Sequence, residues 1–160
     1  MKVRMIRACF AGFLGTIVVT CMATFGSPTL LGGPVDLAVM LARWLGGSWL
    51  VGMSMHFTVG TLILPALYVQ ILDRRLHGGP AVRGAAWGLA LWLVSQLVLI
   101  PASGGGFFSA ANGGLHAVAD SFLAHIAYGL VLGLLAGGPN ERAFSVRQEF
   151  EAKPRLRRAA

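Results

Sequence analysis

Apolar residues along this chain come in four long unbroken runs, not in alternation with polar ones. The runs cover about 5–25, 48–72, 81–100 and 117–136. Each holds roughly 20 residues or more, enough to cross a hydrocarbon core of about 30 Å at 1.5 Å per residue. Barrel strands would alternate polar and apolar positions, so continuous runs predict helices. The predicted fold class is therefore all-α, an integral membrane bundle of four transmembrane helices. A shorter amphipathic stretch lies between the first two runs. Pro34 suits the first helical position there, Asp36 the first turn, and Gly46-Gly47 ends the stretch. It is too short to span. It predicts a helix lying in the interface, with Trp44 and Trp49 at headgroup depth. The segment from Ala102 to Gly114 is Gly-rich and uncharged, with Phe107-Phe108 in its middle.

Composition strengthens this picture. The 160 residues are 56% hydrophobic and only 12% charged, with a mean hydropathy of +0.70. A soluble domain carries about 25% charged residues, so an ordinary cytosolic enzyme is excluded. The length suits a single domain. We divide the chain into a transmembrane domain over 1–138 and a basic tail over 139–160. The net charge of +7 would suggest nucleic acid if it were clustered on a soluble face. It is instead distributed by topology. Lys2, Arg4 and Arg7 precede the first run. Arg74, Arg75 and Arg83 lie between the second and third, and Arg142, Arg147, Lys153, Arg155, Arg157 and Arg158 follow the fourth. Arg43 alone lies on the other side. The positive-inside rule then predicts a multi-pass protein of the inner (plasma) membrane with both termini cytoplasmic. The expected partners are the bilayer, with anionic lipid at the basic ends, and a second copy or larger membrane complex, but no nucleic acid. The first run also has the basic start of a secretory signal, but it is long for one, and we expect it to be retained.

The two halves resemble each other weakly. Arg7 and Gly12 open the first run, and Arg83 and Gly88 open the third, both as Arg, four residues, Gly. His56 and Gly60 in the second run match His125 and Gly129 in the fourth. The pattern suggests two tandem hairpins related by a pseudo-two-fold along the membrane normal. Small residues also recur every fourth position, which lets helix backbones approach closely in lipid. Gly12, Gly52, Gly60, Gly84, Gly88, Gly129 and Gly133 are the predicted packing positions.

His56 and His125 are the candidate functional residues. Each lies about eight residues from the same end of its run, roughly 12 Å deep at 1.5 Å per residue. Ionisable groups at that depth need a partner. The plainest reading is a hydrogen bond from each imidazole to a hydroxyl, amide or carbonyl of a neighbouring helix. Thr16, Thr20, Ser54, Thr58, Ser95 and Gln96 are the candidates. A sharper reading is a b-type haem or another metal held between the two imidazoles. A third is a protonation or quinone-type role. Around them we expect a polar cluster of Asp36, Gln96, His116 and Asp120. His116 and Asp120 are four residues apart on one helical face, so a His–Asp pair is possible there. No catalytic arrangement, nucleotide motif or zinc spacing is present in the sequence. Cys9 and Cys21 lie about 120° apart around one helix and do not face each other.

Several short motifs together resemble a known family. These are Pro34 and Asp36, Met55-His56-Phe57, Arg83-Gly84 with Gly88, Pro101 followed by Gly106-Phe107-Phe108, and His125 with Tyr128-Gly129. They resemble a family of small four-helix bacterial inner-membrane proteins described only as a domain of unknown function. The resemblance covers about 5–136. It implies a four-helix membrane domain and no particular activity. The expected role is a non-catalytic accessory or oligomeric membrane protein. The alternatives are a haem-binding electron-transfer or sensing module using His56 and His125, and a small transporter or channel.

Overall fold

A computed structural model describes residues 2–27, 36–72 and 78–136. The expected basic tail, Pro34, Arg74 and Arg75 lie outside these. Four helices are long and apolar enough to cross a membrane: α1 (Arg4–Gly26), α3 (Trp49–Ile71), α4 (Pro80–Ala102) and α5 (Gly114–Ala136). A short helix, α2 (Leu37–Leu45), connects α1 to α3. No strand occurs among the described residues. The outer surface is apolar on every long helix: Ile6, Phe10, Leu50, Val98, Leu123 and Leu134 are all exposed. Single exposed apolar residues are ordinary, but belts of them on all four helices suit a lipid surround.

Backbone proximity decides which helices meet. α4 and α5 cross where Gly84 and Gly88 face Gly129 and Gly133. A Cβ on Gly84 would overlap the Gly129 carbonyl, and one on Gly129 would overlap the Gly84 carbonyl. Hydrocarbon gives no hydrophobic drive between helices, so such close van der Waals contact holds them together. α1 meets α3 through Gly12 and Thr16, which sit against Gly60 and the Pro65 ring. Gly52 accepts α2, since a Cβ there would meet the Ala38 carbonyl. α5 also packs along α1, and Arg7 Nη2 donates to the Leu135 carbonyl at 3.1 Å. A cation there satisfies a C-terminal carbonyl of α5 and suits its dipole. α3 and α4, by contrast, meet mainly at one end, where Tyr68 and Trp87 rings lie 6.2 Å apart.

The two hairpins therefore differ in how they pack, although their motifs match. α5 is regular throughout. The other three long helices contain π turns: Met22–Gly26 in α1, Val59–Ile63 and Tyr68–Leu72 in α3, and Ser95–Leu99 in α4. Those at Val59–Ile63 and Ser95–Leu99 end two residues before a proline, Pro65 or Pro101. Proline lacks an N–H and its ring crowds the carbonyl four residues back, so the helix widens by one residue instead of breaking.

α2 departs from the expectation in its start. Asp36 is not in the first turn but is the N-cap, with an extended backbone and a carboxylate accepting from Val39 N–H at 3.0 Å. Capping satisfies an orphan donor directly, which a carboxylate one turn further in would not do. Gly46 closes the helix at φ 62°, a left-handed conformation that glycine adopts without steric cost. The segment after α4 is ordered by unusual backbone. Phe108 and Ser109 have φ of 50° and 55°, which costs on the order of 1–3 kcal/mol per residue. Phe108 lies 6.0 Å from the Trp92 ring. Ser109 is buried and donates to Gln96 Oε1 at 3.1 Å.

Candidate functional site

The gap left between α3 and α4 is a cavity of about 360 Å³. Ligand pockets begin near this size. Its wall is mostly aliphatic, with Val19, Leu41, Val59, Leu64, Leu91 and Leu99 among its residues. α2 contributes Leu37, Met40, Leu41 and Trp44. Both His56 and His125 line this one cavity, so the fold brings the two matched histidines to a common site.

Their hydrogen bonds differ. A threonine ladder runs along α1: Thr16 donates to the Gly12 carbonyl at 2.7 Å, Thr20 to the Thr16 carbonyl at 2.8 Å and Thr24 to the Thr20 carbonyl at 2.8 Å. Such back-bonding is common for hydroxyls within helices. His56 Nε2 lies 3.1 Å from Thr20 Oγ1. The Thr20 proton is directed at Thr16, so Nε2 carries the hydrogen and donates. A neutral ring then keeps its lone pair on Nδ1. His125 makes the opposite choice. Its Nδ1 lies 2.7 Å from the Ser121 carbonyl and 3.4 Å from Ser121 Oγ. A carbonyl only accepts, so Nδ1 donates and Nε2 holds the lone pair. Thr20 was among the hydroxyl candidates. His125 instead turns back on its own helix.

Tyr128 was named in the sequence only as part of a motif, yet it closes the site. The Leu64 N–H bonds to the Val59 carbonyl across the π turn. Pro65 has no N–H. The Gly60 carbonyl is thus left without a donor from its own helix, and Tyr128 supplies one at 2.6 Å. An unpaired buried carbonyl would cost on the order of 1–3 kcal/mol. Gly15 leaves room for the Tyr128 ring on the α1 side. Pro65, seven residues before the end of an apolar run, was the available signal for this arrangement.

The four polar candidates are placed apart. Asp36 caps α2. Gln96 is fully buried and bonded to Ser109. Asp120 accepts from Ser27 at 2.7 Å, not from His116, which is exposed. Ser27 is fully buried, so it offers a fixed donor that a flexible surface imidazole does not. No hydrogen bond joins any two of the four among the described residues. Nor is there a group of three or more His, Cys, Asp or Glu able to hold a metal ion among those residues. Cys9 and Cys21 are free thiols.

Fold and site together define a bundle of four membrane-length helices enclosing an apolar cavity with two imidazoles on its wall. The chain matches the family of unknown function DUF6789 over residues 2–143, and it belongs to that family. No curated protein and no solved structure matches it.

Proposed function

We propose that this is a non-catalytic, multi-pass membrane protein that holds a small apolar molecule in the cavity between α3 and α4. The observation that carries this reading is the cavity itself: about 360 Å³, largely aliphatic, with polar atoms restricted to a few positions. That combination is typical of small-molecule sites. The wall carries no nucleophile–base–orienter arrangement of the kind catalysis requires. The distribution of basic residues supports placement in a bacterial inner membrane with both termini cytoplasmic and the basic ends on anionic lipid. A second copy or an accessory role in a larger complex fits the exposed apolar faces.

The residues fit a b-type haem poorly. His125 presents an open Nε2 with Nδ1 fixed by a carbonyl, as metal-ligating histidines do. His56 differs, because its Nε2 donates to Thr20 and its lone pair is on Nδ1. It would have to bind iron through Nδ1, or give up the Thr20 bond to present Nε2.

The test is a titration of the purified protein in lipid nanodiscs with decylbenzene, read by calorimetry against empty nanodiscs. Saturable binding to the wild type is expected, with loss in Ala124→Phe, which fills the cavity from α5. A wild-type protein that binds no more than the empty disc would overturn the reading.

A further inference from the structure

The proton inventory of the cavity wall deepens this reading and rests on it. Besides Trp44 of α2, six residues of the wall carry a hydrogen-bonding side chain: Thr16, His56, Ser95, Ser103, His125 and Tyr128. Three of the hydroxyls already give their protons to backbone carbonyls. Thr16 donates to the Gly12 carbonyl, Ser103 to the Ile100 carbonyl and Tyr128 to the Gly60 carbonyl. Each leaves only oxygen lone pairs for a guest. The two neutral imidazoles also give their protons to the protein, through opposite nitrogens. His56 donates through Nε2 to Thr20, and His125 through Nδ1 to Ser121. The atoms left over, His56 Nδ1 and His125 Nε2, are acceptors. Two donors remain: the Ser95 hydroxyl and the indole N–H of the partly exposed Trp44 on α2.

We infer that the cavity selects an apolar ring compound carrying a hydroxyl donor, a phenol or hydroquinone, whose O–H donates to Nε2 of His125. The wall offers more acceptors than donors, and the Nε2 acceptor of His125 is fixed by the Ser121 carbonyl, which cannot reverse its role. A guest whose polar atoms are all carbonyls meets lone pairs with lone pairs and leaves them unpaired on both sides. A guest with a hydroxyl satisfies them. Sites built to pair one hydrogen-bonding group reject the analogue that lacks it far more strongly than sites that read shape alone. The imidazoles, the indole of Trp44 and the ring of Tyr128 supply flat faces for an aromatic guest. A hydroquinone and its quinone share one carbon skeleton and differ by two electrons and two protons, so the hydroxyl donors are present in one probe and absent from the other.

Binding of decyl hydroquinone, decyl quinone and decylbenzene is compared anaerobically in nanodiscs. The hydroquinone is expected to bind about tenfold more tightly than the quinone. His125→Phe, which keeps a ring but removes the acceptor, is expected to abolish that preference while decylbenzene still binds. Equal affinity for hydroquinone and quinone in the wild type would overturn the inference and leave the cavity reading intact. No saturable binding of any of the three would overturn both. Ser95→Ala provides a check that does not disturb the histidine. It removes one of the two donors, so the preference for hydroquinone should widen, and a narrower preference would overturn the inference.

Discussion

The α4–α5 hairpin and the α1–α3 hairpin carry matching motifs but hold together by different means. α4 and α5 join through glycine on both sides, and both backbones come within contact of each other's carbonyls. α1 and α3 also meet at glycines, Gly12 against the Gly60 carbonyl, but Thr16 and the Pro65 ring fill the rest of that contact. Pro65 widens α3 by one residue and releases the Gly60 carbonyl, which a tyrosine from the opposite hairpin then occupies. The glycine seam leaves no space. The proline-widened helix stands off from α4 over most of its length, and the cavity occupies that space. Matching sequence motifs therefore do not produce matching packing: α5 closes on α4, and α3 does not.

The largest effect should come from closing the glycine seam. Gly84→Leu would force a side chain onto the Gly129 carbonyl, and backbone cannot move aside as a flexible side chain would. We expect a loss of about 3 kcal/mol or more, beyond the usual cost of overpacking, read as loss of the monodisperse peak and a lower unfolding temperature in detergent. The same change at Gly26, where a Cβ would only touch Met22, should be nearly silent.

A smaller effect tests the tyrosine. Tyr128→Phe strands the Gly60 carbonyl, and we expect about 1–3 kcal/mol of destabilisation. Pro65→Ala restores an N–H at position 65 that can serve that carbonyl. In that background Tyr128→Phe should cost clearly less. A double-mutant cycle measures the difference, and additive losses would break the proposed link between proline and tyrosine.

The smallest effects distinguish the two histidines. Thr20→Val removes the partner of His56 and should cost about 0.5–1.5 kcal/mol without altering decylbenzene affinity. Finally, protein purified from haem-replete cells should show no Soret band before or after dithionite. A band lost in both His56→Ala and His125→Ala would mean that both imidazoles hold the iron, His56 through Nδ1 or at the expense of its Thr20 bond.

Apolar runs set the four helices closely in the sequence, because length and hydropathy suffice to specify a span. Close-approach glycines were also legible, since spacing by four reports a helix face directly. Spacing placed His56 and His125 at one level, but it could not say that they share a cavity. That depends on α3 standing off from α4, which is a tertiary result. The His116–Asp120 spacing suggested a pair, yet Asp120 bonds Ser27 across 93 positions of sequence. No local period reports such a contact. The ring nitrogen that carries each proton was equally hidden, because Thr20 and the Ser121 carbonyl decide it.

The π turn at Val59–Ile63 has a consequence for chain length. Such a turn is an α-helix with one residue too many, and each residue of an α-helix accounts for about 100° of rotation. Deleting a single residue from this segment would remove the surplus, restore the regular winding and leave Tyr68 on its present face, buried against Trp87. Deleting one from the regular stretch Trp49–Thr58 would instead turn one part of the helix by about 100° against the other. An apolar helix in an apolar surround looks indifferent to where it loses a residue. This helix should tolerate the loss only within the π turn, and length variation within the family should be confined there.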